Sequence, residues 1–224
     1  MNHCYFVTGT DAEVGKTIVS LALMRKFASA GRRVAGYKPF SSGGLGKPEG
    51  LRARDALQLQ AQCSADWPYE AINPLTRAEM ESAPPLTQRA ALPPLSAGLR
   101  QLRKASDCVI VEGCGGWRTL LDADFPLSRW AVSESLPVIM VVGIKPGCLS
   151  HALLTAEAIR ADGLPLVGWV ANRVNPCLPN YCAVVDALRE RLAAPLLGEI
   201  PYLPRIAERD LQPYLDIVPL TRGD

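Results

Sequence analysis

Short apolar runs alternate with helix-spaced stretches along the whole chain. The runs are Tyr5-Phe6-Val7, Val34-Ala35-Gly36-Tyr37-Lys38, Cys108-Val109-Ile110-Val111-Glu112, Val138-Ile139-Met140-Val141-Val142, Leu166-Val167-Gly168-Trp169-Val170 and Leu196-Leu197-Gly198-Glu199-Ile200. They are continuously apolar and rich in β-branched residues, not alternating, as suits strands covered on both faces of a parallel sheet. Residues 18–30, 149–161 and 180–192 carry helical spacing, and Gly31 is a natural stop for the first. Strand, helix, strand in repetition predicts an α/β fold, doubly wound around a mostly parallel sheet with right-handed crossovers. Two stretches break the pattern. Residues 73–94 carry five prolines and no clean period, so the expectation there is a loop-rich excursion with one short helix. Residues 43–50, with four glycines, read as flexible. Neither a repeat nor a linker divides the chain, so residues 1–224 are expected to form one domain.

Composition narrows the possibilities. The 224 residues are 48% hydrophobic and 21% charged with a net charge of +2, a soluble globular balance. With no basic run or tail, neither a nucleic-acid nor an anionic-membrane partner is expected. No apolar run has the roughly 18 residues of a membrane span, and the N-terminus lacks the features of a signal peptide. Seven cysteines, none in a Cys-x-x-Cys pair, read as free thiols of a cytoplasmic protein.

The segment with the clearest chemistry is Thr8-Gly9-Thr10-Asp11-Ala12-Glu13-Val14-Gly15-Lys16-Thr17. It lies between the first strand and the first helix, as a phosphate-binding loop does. Backbone N–H groups and the positive helix end then converge on one point. Lys16 would reach the outer phosphates of a nucleotide, and the Thr17 hydroxyl would hold magnesium. Five residues separate Gly9 from Gly15 where four are usual, so the loop is a variant of a P-loop NTPase-like site.

Ligands of such sheets bind beyond the C-terminal ends of the strands, and the other candidates lie there. Glu112 ends an apolar strand just before Gly113-Cys114-Gly115-Gly116, and Mg²⁺ favours such a carboxylate. Asp55 opens a helical segment and on its own reads equally as a helix N-terminal acid. Lys38 ends the second strand, before Pro39, and would bring a second cation to a transferred phosphoryl group. Ser42 follows, with glycines beside it. Asn172 carries a donor and an acceptor that suit a base edge, or a plain turn. Gly147 and Ser150 open the helix after the fourth strand, another anion site or an ordinary cap.

Together these segments resemble the dethiobiotin synthetase family, ATP-dependent enzymes of biotin synthesis, over nearly the whole chain. The resemblance rests on the loop with its preceding strand, Ala35-Gly36-Tyr37-Lys38-Pro39, Pro48-Glu49-Gly50-Leu51-Arg52 before Asp55, and Val111-Glu112-Gly113 with Gly115-Gly116-Trp117. Gly168-Trp169-Val170-Ala171-Asn172 and Leu196-Leu197-Gly198-Glu199-Ile200-Pro201 complete it. It implies carboxylation of 7,8-diaminopelargonic acid (7,8-diaminononanoate) by CO₂. ATP would phosphorylate the carbamate, and the neighbouring amine would close the ring of dethiobiotin.

It also implies roles. Glu13, Val14, Gly15, Lys16, Thr17 and Ile18 would wrap the phosphates, with Glu112, Gly113, Cys114 and Gly115 opposite. Thr17, Asp55 and Glu112 would hold Mg²⁺. Lys16 and Lys38 would be the catalytic cations. Asn172, Arg173, Pro201, Tyr202 and Leu203 would frame the base. Ser42, Lys38, Gly115, Gly147 and Ser150 would meet the diamine, at the interface of a homodimer.

There are departures from the family's pattern. Ala12 stands where threonine is common, which removes a hydroxyl from the loop and is expected to weaken ATP binding. Pro146, Ser150 and Ala83-Pro84-Pro85 also differ from the usual residues. A divergent paralogue is one alternative reading and a partition-type P-loop ATPase switch another. Such switches carry an early loop lysine, where this chain has Thr10-Asp11, and often a basic tail, which residues 211–224 do not supply.

Overall fold

The computed structural model describes residues 3–78, 88–122 and 125–221. Six strands form its main sheet: β1 (His3–Gly9), β2 (Val34–Tyr37), β3 (Cys108–Gly116), β4 (Val138–Gly143), β5 (Leu166–Asn172) and β6 (Leu196–Ile200). Their order is β6-β5-β4-β1-β3-β2, and every neighbouring pair is parallel. From β1 the chain runs to the edge strand β2, returns to place β3 between β1 and β2, and then crosses to the other side, where β4, β5 and β6 follow outward in turn. The strand order therefore reverses beside β1, and a crevice opens at the strands' C-terminal ends there.

Both faces of the sheet are covered. On β4, Ile139 and Val141 join one apolar cluster while Met140 and Val142 join another. The first cluster takes Val19, Leu23 and Phe27 from α1 (Lys16–Ser29), and the second takes Ala152 from α5 (Cys148–Ala161) and Val185 and Leu188 from α6 (Tyr181–Arg191). This is why the central strands lack alternation: neither of their faces meets water. Gly31, at φ +78°, follows the end of α1 as expected.

The irregular stretches differ from their expectation. A helix, α3 (Gln88–Ala105), begins before Pro93 and runs through both Pro93 and Pro94. Leu95, Leu99 and Leu102 are fully buried on one side of it. Interior prolines cost about 3 kcal/mol each, and burying three leucines at about 1.5–3 kcal/mol each is of the size to offset that. The motif at residues 83–85 lies outside the described residues. The glycine-rich segment forms a hairpin, with Leu45–Lys47 paired antiparallel to Gly50–Arg52. A short helix, α4 (Leu127–Ser133), buries Trp130 and had no counterpart in the sequence pattern. The helical segment at Asp55 is α2 (Arg54–Ala61).

β6 is held at its outer edge by the C-terminal segment, through a bridge from Gly198 to Leu215 and the Asp216 N–H on the Leu197 carbonyl at 2.7 Å. A Cβ at Gly198 would stand 1.9 Å from the Tyr214 carbonyl oxygen, an impossible contact with backbone. Gly198→Ala is therefore expected to lift this segment off β6 and destabilise the protein by about 1–3 kcal/mol. Urea denaturation checks it; an unchanged midpoint would mean that the segment does not lie there.

Candidate active site

The segment between β1 and α1 is wound tightly. Glu13 and Gly15 have positive φ, +56° and +94°. A Cβ on Gly9 would come within 2.6 Å of Val14 Cγ2, so the start of the loop passes directly over the Val14 side chain. Val14 is buried, and its carbonyl accepts from the buried Asn172 Nδ2 at 2.8 Å. A Cβ on Gly15 would meet that same amide nitrogen at 2.2 Å. Only glycine allows both the left-handed turn and the approach of Asn172. α1 then starts without a side-chain cap, so its first N–H groups are left to face the crevice.

Across the crevice, four elements deliver one charged cluster. Glu112 on β3 is 1% exposed and Lys38, just after β2, is 3% exposed. Lys38 Nζ lies 2.8 Å from Glu112 Oε1 and 2.6 Å from Asp55 Oδ2, and it donates to the Gly113 carbonyl at 3.1 Å. Thr17, in the first turn of α1, donates its hydroxyl to the same Glu112 Oε1 at 2.8 Å. Burial works against the Lys38 charge, but Glu112 and Asp55 outweigh it and hold the ammonium above its ordinary pKa. Glu112 Oε2 is buried without a hydrogen-bond partner.

Lys16 reaches back over the loop to the Asp11 carbonyl at 2.9 Å. It is 7% exposed, and burial, followed by the proximity of Lys38, pushes its pKa below the usual lysine value. Ser42 Oγ lies 3.7 Å from Cys114 Sγ. Between these groups is a cleft of about 500 Å³, lined on one side by Ala12, Glu13, Gly15, Lys16, Thr17 and Ile18, and on the other by Lys38, Ser42, Asp55, Glu112, Cys114 and Gly115.

Most of the residues singled out in the sequence therefore meet in one place. Val14 lies beneath the loop, and Gly113 presents its carbonyl to Lys38. Asn172 is committed through Nδ2 to the loop, while its Oδ1 is buried without a partner. Arg173 packs its guanidinium 4.7 Å over the Tyr181 ring and donates to the Pro176 carbonyl. Pro201, Tyr202 and Leu203 follow β6 and are not part of the cleft lining, and Tyr202 is half exposed. Gly147, at φ +84°, and the exposed Ser150 open α5 and are not part of it either.

Sequence reading missed Lys145, which stands two residues beyond β4 and ion-pairs with Asp11 at 2.6 Å. The rule that functional residues follow strand ends would have reached it. It also missed a second cleft of about 390 Å³ beside the loop, between Asp11, Gly116 and Trp117 on one side and Leu154 and Thr155 of α5 on the other.

The cluster fits a hard divalent cation. A hydroxyl and two carboxylates are the oxygen donors Mg²⁺ takes, and the unpartnered Glu112 Oε2 is a buried acceptor awaiting a charge. Among the described residues no three His, Cys, Asp or Glu side chains gather to hold a metal unaided. Two acids and a hydroxyl leave the remaining positions to phosphate and water.

Comparison with known proteins agrees with this geometry. An AAA domain family model matches residues 3–210. The chain is similar to the septum site-determining protein MinD of Pyrococcus horikoshii, solved with Mg-ADP, at a TM-score of 0.59 and 17% identity, over 96% of this chain and 87% of that one. It is also similar to the signal recognition particle receptor FtsY of Elizabethkingia anophelis, solved with GDP, at a TM-score of 0.52 and 18% identity, over 89% of this chain and 57% of that one. These likenesses establish a P-loop NTPase fold and nothing further.

Sequence relatives are much nearer. The ATP-dependent dethiobiotin synthetase BioD 2 of Escherichia coli K12 is 52% identical over 96% of this chain and 94% of its own. The ATP-dependent dethiobiotin synthetase BioD of Yersinia pseudotuberculosis is 48% identical over 96% and 97%. That of Vibrio vulnificus is 47% identical over the same shares. With about half of all positions shared from end to end, and the loop and its charged cluster facing one cleft, this chain belongs to the family of ATP-dependent dethiobiotin synthetases.

Proposed function

We propose that the protein carboxylates 7,8-diaminopelargonic acid with CO₂ and closes the ring to dethiobiotin at the expense of ATP, releasing ADP and phosphate. The observation that carries the proposal is the buried lysine, Lys38, held by Glu112 and Asp55 in the cleft that the phosphate loop lines. A nucleotide switch needs only the loop and a metal acid. A second buried cation beside the terminal phosphate is what transfer to an anionic acceptor requires, because charge stabilisation dominates phosphoryl transfer.

In this reading the N–H groups of Glu13 to Ile18 cradle the phosphates, and Lys16 leaves the Asp11 carbonyl for the outer ones. Thr17, Asp55 and Glu112 hold Mg²⁺, which when bound neutralises phosphate charge. Lys38 stabilises the carbamate oxygens and the phosphoryl group they accept. Ser42, Gly115 and Cys114 border the acceptor. Holding the second amine beside the carbamic–phosphoric anhydride makes ring closure intramolecular, an advantage of about 7–11 kcal/mol at best. Asn172 Oδ1, lacking a partner, accepts from the exocyclic amine of adenine, while Arg173 and residues 201–203 border the base.

Gly147 and Ser150 receive the carboxylate tail. They line neither cleft of their own chain, which favours a homodimer in which they serve the cleft of the other copy. No helix among the described residues is long and apolar enough to cross a membrane. Seven free thiols suit the cytoplasm.

Purified protein with the diamine, bicarbonate and Mg-ATP should yield dethiobiotin by mass spectrometry, with phosphate release that stops when the diamine is omitted. ATP turnover indifferent to the diamine would point instead to a switch or to a paralogue with another substrate.

Lys38→Met should lower kcat by about 100-fold or more. It should also lower stability by about 3–5 kcal/mol, because it strands a buried acid. Steady-state rates and urea melts check both; wild-type kcat in a folded variant would remove Lys38 from the chemistry.

Ala12→Thr returns a hydroxyl to the cleft lining. It should tighten ATP binding by about tenfold, the worth of a charged hydrogen bond of about 1.5 kcal/mol. Calorimetry decides, and an unaltered Kd would mean that position 12 does not touch the nucleotide.

A further inference from the structure

We infer that Lys145 is a positioning residue of the phosphate loop: by pairing with Asp11 it fixes the loop's first turn and cancels a negative charge where a polyphosphate must enter. The inference rests on the nucleotide-binding part of the reading above and adds a residue to it.

Three polar groups of Asp11 are committed at once. Oδ2 lies 2.6 Å from Lys145 Nζ, Oδ1 accepts the Ala12 N–H at 2.7 Å, and the carbonyl accepts Lys16 Nζ at 2.9 Å. The residue therefore sets the path of the backbone at Ala12 and the resting place of Lys16 together. Its side chain is held by a group from a different strand end, since Lys145 follows β4. On the other flank the loop is held by Asn172, the last residue of β5, which donates to the Val14 carbonyl. The loop is thus clamped from both sides, by a buried amide and by an ion pair.

The two clamps are not equivalent. Asn172 is 3% exposed, whereas the Lys145 and Asp11 side chains are 34% and 44% exposed. An ion pair so open to water adds little to folding, so its consequence falls on ligand binding. With Lys145 removed, Asp11 keeps its charge, loses its anchor and stands as a free carboxylate beside Lys16. It would then repel the incoming phosphates and compete with them for that ammonium. The carboxyl of Asp11 is held below its ordinary pKa, first by Lys145 and then by the Ala12 N–H, so it stays charged through the neutral range.

The test is calorimetric binding of Mg-AMP-PNP, which needs no diamine and no turnover, alongside kinetics and thermal melts. Lys145→Met should weaken binding about five- to twentyfold and raise KM for ATP in step, while kcat stays within twofold and the melting temperature barely moves. Lys145→Arg should restore wild-type affinity. So should the double variant Asp11→Asn with Lys145→Met, because asparagine keeps an acceptor for the Ala12 N–H and loses the charge. The defect should also shrink as salt rises. Unchanged affinity in Lys145→Met, or a double variant weaker than either single one, would overturn the inference. A wild-type protein that binds the analogue but makes no dethiobiotin would sink the proposed reaction and leave this role standing.

Discussion

A carboxylate that is 1% exposed sets the terms for the whole site. Glu112 lies within β3, an interior strand of the sheet, where an uncompensated charge would cost several kcal/mol. Its Oε1 is satisfied twice, by Lys38 from the end of β2 and by Thr17 from the start of α1. Asp55 from α2 shares the lysine. Acid and lysine are mutually obligatory: neither could be buried here without the other. Four separate segments are thereby locked around one point, while the remaining oxygen, Oε2, is buried without a hydrogen-bond partner.

Topology supplies the place for this cluster. In a wholly parallel sheet every C-terminal strand end faces one edge, and the reversal beside β1 opens a crevice there. The loop leaves β1 into that crevice. β2 and β3 bring Lys38 and Glu112 from one side, while β4 and β5 bring Lys145 and Asn172 from the other. Glu112 and Asn172 belong to the strands themselves, β3 and β5, and the continuous apolar runs before them hold them in register.

That division explains what could be read from the sequence. Runs such as residues 138–142 are unambiguous because both faces are buried, and all six strands were placed. Lys38 and Glu112 stood out because a charge at the end of an apolar run is costly unless it is used. α3 did not stand out, because Pro93 and Pro94 mask its spacing and only packing of Leu95, Leu99 and Leu102 reveals it. The hairpin at residues 45–52 looked flexible because glycines carry no side-chain pattern. Asn172 looked like a base reader, but one amide hydrogen serves the loop, a contact made across a sequence separation of 158 residues that no local pattern encodes. Lys145 and Asp11 are 134 residues apart, and each alone looks like a surface charge.

The three lysines along this edge are not alike, and the difference gives the cleft its direction. Lys38 is balanced by two acids and Lys145 by one. Lys16 makes no direct ion pair among the described residues; it rests on a carbonyl, and burial together with Lys38 depresses its proton affinity. Of these three lysines, Lys16, beside the N-terminus of α1, is the one whose charge no acid pairs directly among the described residues. An anion arriving there relieves a cost that the fold already carries, whereas an anion beside Lys38 or Lys145 must first compete with resident acids. In the proposed function this is the reason a polyphosphate would seat its end on Lys16. Under the same proposal Lys38, already neutralised and buried, would act only toward a group that brings enough negative charge to loosen Glu112 or Asp55, as a phosphorylated or carboxylated acceptor would.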